Sequence, residues 1–229
     1  MDMEDISIKY QQLLKDYEQA QRLLHRKDVE LKAVLAQAHE ITRTDALTFL
    51  PNRRKIITDL QHEVQRSDRY RTPLSISVVD IDHFKQVNDT HGHTLGDEVL
   101  RTLASELLQE TRDPDTVGRL GGEEFLIILP NTVLASAAGQ AERLCQRMRG
   151  LMIPAEGRRP AKRRPELVEG SSEGVPVEGQ MITITISIGV AEYQIGQESW
   201  DGFLKRADTA MYQAKRNGRD QWSAAEAII

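Results

Sequence analysis

The chain has 229 residues, 39% hydrophobic, 28% charged and only 5% aromatic, which suits one soluble domain of ordinary size with an accessory element and a mostly aliphatic core. A formal net charge of -5 argues against a general binder of nucleic acid or membrane surfaces, so any phosphate ligand must be held by a local basic site. A single cysteine, Cys145, excludes an intrachain disulfide framework; no apolar run approaches the ~20 residues that span a bilayer, and acids stand where a signal peptide would carry bases, so the expected compartment is the cytoplasm.

Residues 3 to 41 place apolar side chains at three-four spacing: Met3, Ile6, Tyr10, Leu13, Tyr17, Ala20, Leu24, Leu31, Val34, Ala38 and Ile41, interrupted by Lys27. With no Pro or Gly before Pro51, this predicts a coiled coil over 1–44 that dimerises through a partner helix. At ~1.5 Å per residue the rod would be about 60 Å long, too long to pack along one small domain. The alternative is a single amphipathic helix folded back on the domain. Leu14 and Leu35 lie one position after the stripe and Leu23 one before it, so a second, rotated pairing would also bury leucines; whether these residues serve a switch or merely widen the seam stays open.

From residue 45 to 229 the pattern becomes a compact α/β alternation. A helix is expected through about Tyr70, a strand over Leu74–Val79, and a second helix over about Thr94–Gln109. Thr116–Leu120 and Phe125–Leu129 read as a β-hairpin turned by Gly121 and Gly122. A helix follows over about Thr132–Met152, in which Cys145 is a buried small hydrophobe. Residues 154–180 lose all periodicity and read as a flexible inserted loop. Ile182, Ile184, Ile186 and Ile188 then alternate with Thr183, Thr185 and Ser187 as one half-buried strand, and the last helix runs from near Ser199 to Asn217, stopping at Gly218.

Chemistry concentrates at element ends. Asp80 and Asp82 follow an apolar strand at i, i+2, a usual place for carboxylates that hold Mg²⁺, although turn acids alone do not specify a metal. Gly121, Gly122, Glu123 and Glu124 put two more carboxylates at a hairpin tip that a bulky ligand could approach closely; a solvated turn is the plain reading. Lys85, Lys215 and Arg219 supply basic groups. Together the set suits phosphoryl chemistry: metals for developing charge, bases for polyphosphate, an acid for the attacking hydroxyl.

Four ordered motifs carry a family resemblance: Asp45-x-Leu47-Thr48-x-Leu50-x-Asn52-Arg53; Asp80-x-Asp82-x-Phe84-Lys85-x-x-Asn88-Asp89-x-x-Gly92-His93-x-x-Gly96-Asp97; Gly121-Gly122-Glu123-Glu124-Phe125; and Tyr212-x-Ala214-Lys215-x-x-Gly218-Arg219. Over residues 45 to about 222 the chain resembles the diguanylate cyclase, or GGDEF-domain, family in its GGEEF form. The resemblance implies a central, mostly antiparallel sheet flanked by helices, similar to the palm of nucleotidyl cyclases and polymerases. It implies Mg²⁺, with Mn²⁺ as a substitute, on Asp80, Glu123, the Ile81 carbonyl and a nearby Glu124. Asp80 and Glu123 are the implied catalytic residues, Glu123 assisting deprotonation of a 3'-hydroxyl. Asn88 and Asp97 would recognise guanine with His93 near the base or ribose, and Lys215, Arg219 and the backbone at Phe84 and Lys85 would grip phosphates. Asp82 is expected to be structural and Arg119 a hairpin support.

The implied reaction joins two GTP into cyclic di-GMP plus pyrophosphate across a homodimer, since each subunit binds one nucleotide. Arg112-x-x-Asp115, five residues before Gly121, matches the family's inhibitory product site, with Arg143 as a third contact suited to phosphate and guanine edges. The resemblance also implies that the coil at 1–44 is a signalling element that controls the cyclase, with an upstream sensor domain as a further partner. The alternatives are a cyclic di-GMP receptor without turnover, or a relaxed base choice that Asp97 disfavours.

Overall fold

A computed structural model describes residues 43–154 and 181–227 and, in the N-terminal segment, residues 11, 14, 15, 17 and 19–28. The chain divides into two compact units, Met1–Arg43 and Thr44–Ile229. In the first, the described residues between 11 and 28 are helical and exposed, Leu14, Tyr17, Leu23 and Leu24 among them, and Arg43 lies in a bend. The remaining coil positions, and the loop expected over 154–180 except for Pro154, lie outside the described residues. Among the described residues no helix is long and apolar enough to cross a membrane.

The second unit opens with a turn. Asp45 N donates to Leu50 O at 2.8 Å and Thr44 pairs with Pro51. Helix α1 (Arg53–Tyr70) is capped by the Asn52 side chain, which accepts from Lys55 N, and ends at Arg71 in the left-handed region before Thr72 and Pro73. Strand β1 (Leu74–Ile81) follows, then two helices joined at Gly92, α2 (Phe84–His91) and α3 (His93–Gln109). Strands β2 (Thr116–Gly121) and β3 (Glu124–Pro130) form the hairpin; α4 (Leu134–Arg149) leads to β4 (Ile153–Pro154). After the undescribed stretch come β5 (Met181–Ile182), β6 (Ile186–Glu192), α5 (Trp200–Arg216) and β7 (Gln221–Ala224).

Five strands make one sheet in the order β2-β3-β1-β6-β7, antiparallel except for the parallel β6–β7 pair; β4 and β5 make a separate antiparallel pair. Alternation along β1 sends Val79 and Ile81 into a core shared with α3 and α4, and Leu74, Ile76 and Val78 into a second core shared with α1 and α5. With helices on both faces, all eight residues of β1 are buried. Gly189 on β6 lets α5 lie against the strand, since a Cβ there would stand 2.0 Å from Ala207 O. The mixed α/β class and the mostly antiparallel sheet thus match the expectation.

Several elements differ from the sequence reading. The strand expected through Ile182–Ile188 is two: β5 pairs with β4, and β6 starts at Ile186, runs to Glu192 and is buried on both faces rather than half-buried. Between them Thr185 turns to donate its hydroxyl to Asp82. Helix α4 stops at Arg149, not Met152, because the chain after Gly150 is drawn into β4. Helix α2 and strand β7 were not anticipated: one is two turns long, the other four residues, too short for periodicity to register.

Candidate active site at the end of the central strands

The candidate residues converge where β1 ends beside the hairpin tip. In the β1–β3 register Asp80 stands opposite Glu124, and in the β1–β6 register opposite Ser187. Ile81 is buried opposite Ile186. Glu123 occupies the tip itself, after Gly121 and Gly122 at φ of 145° and 52°, backbone that side-chain-bearing residues rarely adopt.

Asp80 is 3% exposed. Its Oδ2 lies 2.7 Å from Lys215 Nζ on α5, whereas its Oδ1 is buried without a hydrogen-bond partner. Burial pushes the Asp80 carboxyl up to about 6, with Lys215 pulling it down and Glu123 and Glu124 adding to the rise. Glu124 is also raised, first by burial and then by the nearby Asp208. Among the described residues no group of three His, Cys, Asp or Glu is assembled as a metal cage. An orphaned buried carboxylate oxygen beside two further acids nevertheless fits a hard cation that takes its other oxygens from backbone, water or substrate.

Past Asp80 the chain turns through His83, which has φ of 58° and makes no side-chain cap, so α2 begins at Phe84 and Lys85 with uncapped amides. A helix start of this kind attracts anions. Phe84 is buried and Lys85 exposed. On α2, Asn88 lies against α3 so closely that a Cβ on Gly96 would meet its Oδ1 at 1.9 Å. Asp97 follows Gly96, and His93 lies one turn earlier on α3, which brings the three candidate guanine readers to the α2–α3 crossing. Lys215 is drawn onto Asp80 rather than standing free, and Arg219 is exposed on the turn after α5.

Two polar clusters support this region. Asp82, 4% exposed, accepts from Thr185 Oγ1 and Ser187 Oγ at 2.7 Å each and from Asp220 N at 2.9 Å, which is the structural part expected of it. Arg119 donates to Gly122 O from Nε at 3.0 Å and Nη2 at 2.7 Å, and to Asp45 from Nη1. The first motif is thereby tied to the hairpin tip.

Arg112, Asp115 and Arg143 line one cavity of about 500 Å³ at the open end of the hairpin, away from its tip, with Glu110, Thr132 and Gln140. Arg112 donates to Asp115 Oδ1 and Thr132 Oγ1, and Arg143 to Glu110 Oε2 at 3.3 Å. Sequence reasoning missed Glu110 and Gln140 here, and Asp208, Asp220 and Arg149 near the candidate active site. Their partners are far apart in the chain, 71 residues for Arg149 and Asp220, so no local pattern signals them.

The family described as Diguanylate cyclase, GGDEF domain, matches residues 42–163 and 154–221. Response regulator PleD of Caulobacter vibrioides is 40% identical over 190 residues, covering 83% of this chain and 37% of PleD. The chain spans about a quarter to a half of the length of the curated relatives it matches. The coiled coil and GGDEF domain of DgcB from Caulobacter crescentus, solved in complex with c-di-GMP, superposes with TM-score 0.71 at 30% identity, covering 90% of this chain and 98% of that one. Diguanylate cyclase SiaD from Pseudomonas aeruginosa, solved with its activator SiaC, gives 0.68 at 35% identity, covering 96% and 76%. With the sheet order, the hairpin carboxylates and these matches in agreement, the chain belongs to the diguanylate cyclase GGDEF-domain family.

Proposed function

We propose that the chain condenses two GTP into cyclic di-GMP and two pyrophosphates, each subunit of a homodimer presenting one GTP to the other. The observation that carries this reading is the Asp80 carboxylate: buried, one oxygen orphaned, beside Glu123 and Glu124 and next to an uncapped helix start. Mg²⁺ on Asp80, Glu123, Glu124 and the Ile81 carbonyl would supply charge to the α-phosphate and lower the pKa of the attacking hydroxyl. Glu123 at the exposed tip takes the 3'-hydroxyl proton. Lys215 leaves Asp80 for the polyphosphate when the nucleotide enters, joined by Arg219 and the amides at Phe84 and Lys85. Asn88 and Asp97 accept from the guanine N1 and N2 groups, a donor pattern that adenine lacks, and His93 flanks the sugar.

The cavity at Arg112, Asp115 and Arg143 supports product inhibition, and the helical N-terminal segment supports control through a coiled coil joined to an upstream input. The experiment is nucleotide product analysis with Mg²⁺ and GTP at several protein concentrations. Cyclic di-GMP should form with a rate that rises more steeply than protein concentration, and Glu123→Gln should abolish it while leaving the fold intact. Binding of cyclic di-GMP with no pyrophosphate release by the unaltered chain would replace the enzyme with a receptor.

A further inference from the structure

The turn that carries Arg219 is unfavourable as local structure. After α5, Gly218 has φ of 116°, and Arg219 and Asp220 follow at 64° and 48°. These are two successive L-residues in the left-handed region, where Cβ crowds the next carbonyl. Such a turn holds its shape only when its surroundings fix it. Asp82 does so from the sheet, accepting from Asp220 N while itself held by Thr185 and Ser187. Arg149, the last residue of α4, does so through other atoms of the same residue: its Nε donates to Asp220 Oδ2 at 2.6 Å and its Nη2 to Asp220 O at 2.7 Å.

Arg149 belongs to none of the sequence motifs. Its ion pair with Asp220 is partly exposed, at 44% and 32% of the two side chains, and such pairs add little to global stability. What a planar guanidinium offers here is orientation, because it grips the carboxylate and the carbonyl of one residue at once. That residue directly follows Arg219.

We propose that Arg149 is a positioning residue for the substrate's phosphates: acting through Asp220, together with Asp82, it fixes the backbone from which Arg219 reaches the polyphosphate. The inference rests on the reading of Arg219 as a phosphate contact.

The test uses the full chain and compares Arg149→Ala, Arg149→Lys, Arg219→Ala and the double alanine variant in GTP turnover and in binding of GTP and of guanosine, which has no phosphates. Arg149→Ala should raise KM for GTP about tenfold with kcat within about twofold, the pattern of lost ground-state binding. GTP affinity should fall in step while guanosine affinity stays. Arg149→Lys should recover only part, since an ammonium cannot make the fork, and adding Arg149→Ala to Arg219→Ala should cost nothing more. If Arg149→Ala does not fold, Asp220→Asn, which keeps the shape and the backbone acceptor, carries the same comparison. Undiminished GTP affinity in Arg149→Ala while Arg219→Ala loses it, or equal loss of GTP and guanosine, would overturn the positioning role. Undiminished GTP affinity in Arg219→Ala would instead overturn the phosphate reading, and this inference with it.

Discussion

Replacing Arg119 by alanine probes the link between the turn at Asp45 and the tip of the β2–β3 hairpin. The change removes two hydrogen bonds to Gly122 O and two to the Asp45 carboxylate, at 3.0 and 3.2 Å. Arg119 and Asp45 are 14% and 23% exposed, so solvent screens the pair only in part. Hydrogen bonds to charged groups contribute about 1.5–3 kcal/mol each, but these four share one guanidinium and are not additive. The expected loss in unfolding free energy is about 3 kcal/mol, measured by urea denaturation. Burial pulls the Asp45 carboxyl up, yet Thr48 and then Arg119 outweigh it and hold it below its ordinary value; the variant should lose Arg119's share of that depression, and with it stability that is present above about pH 4 and lost as the pH falls. Freed at Gly122, the tip lets Glu123 shift by about an ångström, enough to lower kcat about a hundredfold. Pyrophosphate release under native conditions reads this directly. A loss below about 1 kcal/mol together with kcat within twofold of the unaltered chain would refute the proposed link.

Three further outcomes are expected. Asp80 has a folded pKa of about 6 against an ordinary 3.8, so its contribution to stability is present below about pH 4 and lost as the pH rises to 6. Without metal, Asp80→Asn should therefore be more stable than the unaltered chain at pH 8, by up to about 3 kcal/mol, and closely similar at pH 3.5; equal stability at pH 8 would count against the orphaned carboxylate. Arg112→Ala should relieve product inhibition with little change in initial rate, read from progress curves with added cyclic di-GMP, and unchanged inhibition would remove the cavity from regulation. Cysteine pairs placed singly along residues 13 to 38 and crosslinked in either register should give dimers of unequal activity, whereas equal activities would reduce the coil to a passive clamp.

Much of the candidate site is legible along the chain, because the family's chemistry is written in short motifs. The carboxylates sit at positions that strand alternation and a glycine turn dictate: Asp80 at the end of an apolar run, Glu123 and Glu124 after Gly121 and Gly122. The long helices were legible too, since α1, α3, α4 and α5 are each long enough for a 3.6-residue apolar period to register. Tertiary structure decided the rest. Alternating Ile and Thr from Ile182 to Ile188 favours one strand locally, but the competing partners β4 and β1, and the demand of Asp82 for the Thr185 hydroxyl, divide it in two. Strand β6 is buried on both faces only because α5 covers one side and α4 the other, which no pattern along the strand can announce. The same holds for the candidate site: Lys215 resting on Asp80, Arg119 joining Asp45 to Gly122, and Arg149 bracing Asp220 each join residues dozens to more than a hundred positions apart. Local propensity acts over a few residues, whereas these pairs exist only once the sheet has brought its strand ends and helix termini together.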